Sequence, residues 1–204
     1  MNRINKPSAA RLVAIALVLA LAPALAGCGA GAPKEEPPLA GASIGGDFTL
    51  ANSKGEPVRW GDFAGKYRVV YFGYAFCPDI CPTDMQRVAQ GLKALKASDP
   101  EKAAKIQPIF ITIDPERDTP ALLKGYVPNF GPTFIGLTGT PEQVAAVARA
   151  YRVYYQKVPG KDGGPYLMDH SSIIYLLDRN GRFVTHFTHD AKAEAIAAAV
   201  GRLL

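Results

Sequence analysis

Cysteine, histidine and long apolar runs are all scarce in this 204-residue chain, and each shortage narrows what it can do. There are three cysteines, Cys28, Cys77 and Cys81, so the close pair Cys77 and Cys81 has no structural partner elsewhere once Cys28 is assigned to the N-terminal signal described below. The apolar run from Leu12 to Leu21 is too short for a comfortable membrane-spanning helix. No basic run and no aromatic–basic stripe is present, so nucleic acid is excluded as a partner. The formal charge of +5 does not argue otherwise, because setting aside Arg3, Lys6 and Arg11 leaves 20 basic against 18 acidic residues. What remains is half apolar and long enough for one domain with its own core plus an extension.

The extension reads as a processing signal. Arg3, Lys6 and Arg11 form a positive segment ahead of the short apolar run. Leu25-Ala26-Gly27-Cys28 resembles a bacterial lipobox, in which the cysteine becomes the lipidated N-terminus after cleavage before it. The expectation is a lipoprotein signal peptide over 1–27, a lipidated Cys28, and an exported protein anchored to a bacterial membrane on its periplasmic side. Residues 28–44, rich in Gly, Ala and Pro and without apolar periodicity, read as a flexible linker. Fully extended, such a segment reaches roughly 50–60 Å. The globular domain is expected over 45–204.

Within that domain the pattern is α/β. Residues 47–50 and 57–60 flank a turn at Gly55 and predict a hairpin; 68–72 is an apolar run expected to form a strand buried on both faces. Met85, Val88, Ala89, Leu92 and Leu95 fall at helical spacing. A second buried strand is predicted over 109–114. Thr119 reads as an N-cap with Pro120 opening a short helix that Pro128 breaks, and 134–137 as another strand. Thr140-Pro-Glu-Gln143 matches a capping box, with Val144, Val147, Ala148 and Tyr151 as the apolar face behind it. Two runs, 173–177 and 182–187, flank Asn180-Gly181 and predict a hairpin, and a last helix spans about 191–204. The sum is a sheet with helices on both faces and an antiparallel C-terminal hairpin.

Chemistry concentrates in Tyr71-Phe-Gly-Tyr-Ala-Phe-Cys77-Pro-Asp-Ile-Cys81-Pro82, a loop leaving a buried strand and entering a helix N-terminus. Backbone N–H groups and the positive end of the helix dipole favour a thiolate there. Pro78 and Pro82 stiffen the loop and push each preceding cysteine away from helical geometry, so both sulfurs are expected to be presented rather than buried. Three intervening residues suit a structural disulfide, a redox dithiol or a pair of soft metal ligands. The spacing departs from the two residues of thioredoxin-type motifs, and no threonine stands upstream as a peroxidase cysteine requires. On the motif alone, redox and metal are evenly matched. His170 shifts the balance: it just precedes a strand and lies at the Cys77 end of the sheet if the strands run parallel. Two thiolates and an imidazole make a soft site that selects copper(I) and also holds copper(II). His186 and His189 are expected on opposite faces of a strand end, and Met85 in the core.

Cys77-Pro-Asp-Ile-Cys81-Pro, Asp114-Pro-Glu-Arg-Asp-Thr-Pro120 and Asp169-His170-Ser171, in that order, resemble the SCO/SenC family of copper-binding thioredoxin-like proteins. The resemblance spans about 44–204 and implies a thioredoxin-like fold and a membrane-tethered copper metallochaperone, not an enzyme, delivering copper to the copper A centre of cytochrome c oxidase subunit II. It carries Cys77, Cys81 and His170 over as ligands, with Cys77 and Cys81 also able to form a redox disulfide. Another periplasmic copper chaperone or a thiol reductant is implied as a further partner. Asp114 and Asp118 match the family's acidic loop, as aids to docking or to orienting a ligand; the plainer expectation is a strand-end turn at Asp114 and helix capping by Asp118. Ala75 stands where many members have threonine. The alternative function is a thiol–disulfide oxidoreductase that keeps the oxidase's cysteines reduced; it needs both cysteines but not His170, which occupies the place where such enzymes carry a cis-proline.

Overall fold

Arg68-Val-Val-Tyr-Phe72 carries β-branched and aromatic side chains on both faces, which suits a strand covered on both sides. In the computed structural model, which describes residues 43–203, it forms β3 (Tyr67–Gly73), buried from its second residue to its last. The elements in order are β1 (Thr49–Asn52), β2 (Pro57–Arg59), β3, α1 (Ile80–Ser98), α2 (Pro100–Ala103), β4 (Ile106–Thr112), α3 (Pro120–Tyr126), β5 (Ile135–Thr138), α4 (Pro141–Ala150), β6 (Tyr155–Val158), β7 (Leu167–His170), β8 (Ile173–Leu177), β9 (Phe183–Thr188) and α5 (Ala193–Leu203). The expected signal peptide, lipidated Cys28 and most of the linker lie outside the described residues. Among the described residues no helix is long and apolar enough to cross a membrane.

Seven strands form one sheet in the order β2-β1-β5-β4-β3-β8-β9. β3, β4 and β5 run parallel, while β8 and β9 complete the sheet antiparallel. Tyr71 sits level with Phe110 and Gly136 on the face covered by α1 and α3, where Tyr71 reaches Asp84 and Gly136 abuts Leu123 and Val127. Phe72 faces the other way and packs its ring against Tyr151, just past α4, and Tyr175. The fold is therefore the expected thioredoxin-like one, with helices on both faces and an antiparallel C-terminal hairpin.

The local signals act as read. Thr140 and Gln143 cap each other reciprocally, Thr119 accepts from the Leu122 N–H, and proline opens both helices. Both hairpin turns place glycine at positive φ, Gly55 at 82° and Gly181 at 78°. Three expectations fail. β4 starts earlier than predicted and ends at Thr112, so Asp114 lies beyond the strand. The segment before β8 is not a plain loop: β6 and β7 form a separate two-stranded antiparallel ribbon, with Tyr155 opposite His170. The third failure concerns direction. β8 pairs antiparallel to β3, with Ile174 opposite Tyr71 and Leu177 opposite Arg68. A residue preceding a parallel neighbour would lie at the wrong end of the sheet; antiparallel pairing is what brings His170 to the Cys77 end.

Candidate metal centre

β3 ends at Gly73, where nothing larger than glycine fits. A Cβ at that position would lie 2.8 Å from Tyr71 Cε1 and 2.9 Å from Cys81 Sγ. Beyond it the chain turns, the Cys77 N–H donating to the Tyr74 carbonyl at 3.2 Å, and the Ala75 N–H donating to Asp118 Oδ2 at 2.9 Å. Asp79 is the N-cap of α1, which begins at Ile80, so Cys81 and Pro82 both lie in its first turn. The expectation that Pro82 would keep Cys81 out of the helix fails for a plain reason. First-turn N–H groups have no intrahelical partner, so proline forfeits no bond there, and the carbonyl its ring would meet lies outside the helix. Cys81 instead fills the space that Gly73 leaves open and is fully buried, while Cys77 is half-buried. Both sulfurs were expected to be presented; only one is.

The two free thiols are electrostatically unlike. The Cys81 N–H donates to Cys77 Sγ at 3.3 Å from the helix N-terminus. Cys77 is held at about 4, chiefly by a hydrogen bond from the Cys81 side chain, with help from the backbone N–H groups of Cys81 and Asp79, and against the pull of burial. Burial pushes Cys81 strongly up, and the neighbouring Cys77 charge adds to the rise. The pair thus carries one negative charge, on the outer sulfur, and one proton, on the inner.

His170 closes β7. Its Nδ1 lies 3.1 Å from the Ser171 carbonyl, which only accepts, so Nδ1 carries the ring proton and Nε2 presents its lone pair to Cys81 Sγ at 3.2 Å. The rings of Tyr74 and Tyr71 meet the imidazole edge-on at 5.9 Å and 6.3 Å and fix its plane. One ligand atom from each of Cys77, Cys81 and His170 lies within 4.8 Å of the other two. Two sulfurs and an imidazole nitrogen fit a soft cation such as copper(I). The exposed large apolar side chains among the described residues are Phe76 and Ile80, each next in sequence to one of the two cysteines, and Tyr154 and Leu167, on the segments that form the ribbon and its flank.

The remaining sequence candidates separate. Asp118 is buried and caps nothing; its Oδ2 accepts from Ala75 N–H and from the Thr112 hydroxyl at 2.7 Å, which anchors the cysteine loop, and Thr119 does the capping. The Asp114 carbonyl makes the expected turn, accepting from the Asp118 N–H, but its carboxylate is also buried, taking the Tyr166 hydroxyl at 2.8 Å and pairing with Arg117. Met85 is in the core, as expected. His186 stacks on Phe183, and neither it nor His189 joins the Cys77, Cys81 and His170 group. Gly73, Tyr74, Arg117 and Tyr166 were not singled out as site residues: an apolar strand end and a lone arginine in a polar loop carry no signal of their own.

Iodoacetamide should therefore modify Cys77 in the reduced, metal-free chain at a rate nearly flat from about pH 5.5 to about pH 8, where an ordinary thiol climbs about tenfold per unit. The profile is the diagnostic rather than the speed, because a low-pKa thiolate is also a weaker nucleophile. Peptide mapping that finds Cys81 modified first, or a rate rising steeply through neutrality, would contradict this charge assignment.

The SCO1/SenC family profile matches residues 36–204. A SCO2-like protein of Rickettsia felis is 41% identical over 170 residues, spanning 79% of this chain and 81% of that protein. The mitochondrial protein SCO2 homolog of Mus musculus is 43% identical over 162 residues, spanning 79% of this chain but only 63% of the mouse protein. Among solved structures, Bradyrhizobium japonicum ScoI with copper bound superposes with a TM-score of 0.71 at 45% identity, covering 79% of this chain and 99% of that one.

Proposed function

The chain belongs to the SCO1/SenC family, and from that premise we propose that it is a copper carrier serving cytochrome c oxidase assembly, with Cys77, Cys81 and His170 as its ligands. The observation that carries the reading is the convergence of those three donors within 4.8 Å of one another. Copper bound in a relative 45% identical to this chain supports it. In full, the proposal is a lipoprotein whose residues 1–27 are removed and whose Cys28 is lipidated. Residues 28–44 then hold the 45–204 head off the periplasmic side of the membrane. The recipient is the copper A centre of oxidase subunit II, and the copper donor is another periplasmic chaperone. Three ligands leave the ion open to exchange with an incoming thiolate, which delivery requires.

Copper(I) titration of the reduced chain against a competing chelator tests this. One tight equivalent is expected, weakened in His170→Ala. Because Cys77 is already a thiolate and Cys81 still holds its proton, each copper bound should displace about one proton, so the affinity rises about tenfold per pH unit across neutrality. Two ordinary thiols would give a slope near two. A slope of two would overturn the charge assignment of the two thiols, whereas weak binding indifferent to His170 sinks the carrier reading.

A second reading, thiol–disulfide oxidoreductase, is favoured by one observation: a half-exposed low-pKa cysteine backed by a buried thiol is how an attacking and a resolving cysteine are arranged. Ready disulfide exchange that survives His170→Ala, with weak copper binding, would select it.

A further inference from the structure

His170 reaches the site on a piece of structure that the main sheet does not hold. The β6–β7 ribbon is a separate sheet. The bonds nearest His170, from Ser171 N–H to the Tyr154 carbonyl at 2.9 Å and from Tyr154 N–H to Ser171 Oγ at 3.1 Å, join the chain ends flanking the ribbon to each other. They set its shape, not its place. Met168 of β7 is buried in the core and Lys157 of β6 pairs with the exposed Glu116, and Arg117 adds the buried polar tie between the loops. Its Nε pairs with Asp114, its Nη1 donates to the Tyr166 carbonyl at 2.9 Å, and Tyr166 returns its hydroxyl to Asp114 Oδ1 at 2.8 Å. The guanidinium carbon lies 3.7 Å from the Tyr166 ring centre and 4.9 Å from that of Phe76, the residue before Cys77. Nη2 is buried with no hydrogen-bond partner, so ring faces take up much of this cation. One side chain thus touches the acidic loop, the cysteine loop and the residue that enters β7.

We propose that Arg117 is a positioning residue that locks the His170 ribbon against the cysteine loop, so that without it the three-donor site becomes a two-sulfur one. The consequence for metal rests on the copper reading above; the mechanical claim does not. Outer contacts that orient a ligand are typically worth about 10–100-fold in metal affinity.

The test uses the full chain as parent, Arg117→Ala, Arg117→Lys, His170→Ala and the double variant Arg117→Ala/His170→Ala. In the metal-free state, amide hydrogen exchange should quicken at least about tenfold in β6 and β7 of Arg117→Ala while β3 and β4 stay as in the parent. Lysine, which keeps the charge but not the planar fork, should rescue only in part. Copper(I) affinity should fall about 10–100-fold in Arg117→Ala but change little when the same substitution is made on His170→Ala, because the lost ligand is already gone. Unchanged exchange in the ribbon overturns the proposal. So does an equal loss of affinity in both backgrounds, which marks general loosening. A parent that binds no copper would sink the carrier reading while the exchange experiment still decides the clamp. If Arg117→Ala does not fold, Tyr166→Phe removes only the hydroxyl to Asp114 and should move the ribbon's exchange in the same direction by a smaller factor.

Discussion

Alanine at either Cys77 or Cys81 is expected to cut copper(I) affinity by about two to three orders of magnitude. A four-ligand structural metal site is worth about 10–16 kcal/mol, or about 2.5–4 kcal/mol per ligand, and about 1.4 kcal/mol is a factor of ten. The two variants should part company once metal is absent. Cys81 is wholly buried beneath the first turn of α1, so its truncation leaves a gap costing about 1 kcal/mol, less than the ~2–5 kcal/mol of a buried leucine because fewer atoms go. Its thiol is also the foremost cause of the low Cys77 pKa. The Cys77 alkylation profile in Cys81→Ala should therefore swing back toward that of an ordinary thiol. Cys77→Ala removes a half-exposed sulfur and frees one N–H at a helix start, where water substitutes, so its melting temperature should stay near the parent's. Competition titration, thermal melts and alkylation profiles check the three parts. Either variant binding copper within a factor of ten of the parent would remove that cysteine from the ligand set.

The asymmetry of the two thiols was not legible in the sequence, although the pair itself was. Periodicity, caps and turn glycines place β3, α1, α4 and the last hairpin, because each depends on neighbours within a few positions. Burial of Cys81 depends on Gly73, eight positions back, being the one residue that leaves its sulfur room, and that contact exists only once strand and helix are packed. The rule that proline disfavours helix just before it misleads for another reason: it is strongest in a helix interior and yields in a first turn, where proline forfeits no bond. His170 was singled out on its type and place, yet by way of a parallel pairing the fold does not have. The ribbon that carries it is not legible because each strand has only four residues, and of the eight only Met168 is buried. Asp118 shows the opposite case. Its motif was visible, but nothing in a list of residues distinguishes a carboxylate that caps a helix from one that reaches back to hold a loop.

That reach makes Asp118 the site of the second large expected effect. Its Oδ2 is the acceptor for both the Ala75 N–H and the Thr112 hydroxyl, and Ala75 stands two residues before Cys77. Alanine at 118 leaves two donors without a partner, one of them fully buried, at about 1–3 kcal/mol each. A loss of about 2–4 kcal/mol of stability and a weaker hold on Cys77 should follow, while Asp118→Asn, which keeps an acceptor, should lose far less. The asparagine variant also isolates a pH signature. Burial raises the Asp118 pKa above the ordinary carboxylate value, more than its two hydrogen bonds lower it. The folded chain then binds the proton more tightly than the unfolded one. Stability from this group is fully present below the unfolded pKa near 4 and is lost as pH rises through the higher folded value. Asparagine does not titrate, and the other carboxyls cancel in the comparison. Parent stability measured relative to Asp118→Asn by denaturant unfolding should therefore decline as pH is raised from about 4 toward neutrality. A flat difference, or one that grows with pH, would mean that Asp118 holds the cysteine loop as an ordinary ionised carboxylate and that its hydrogen bonds, not its burial, set its charge.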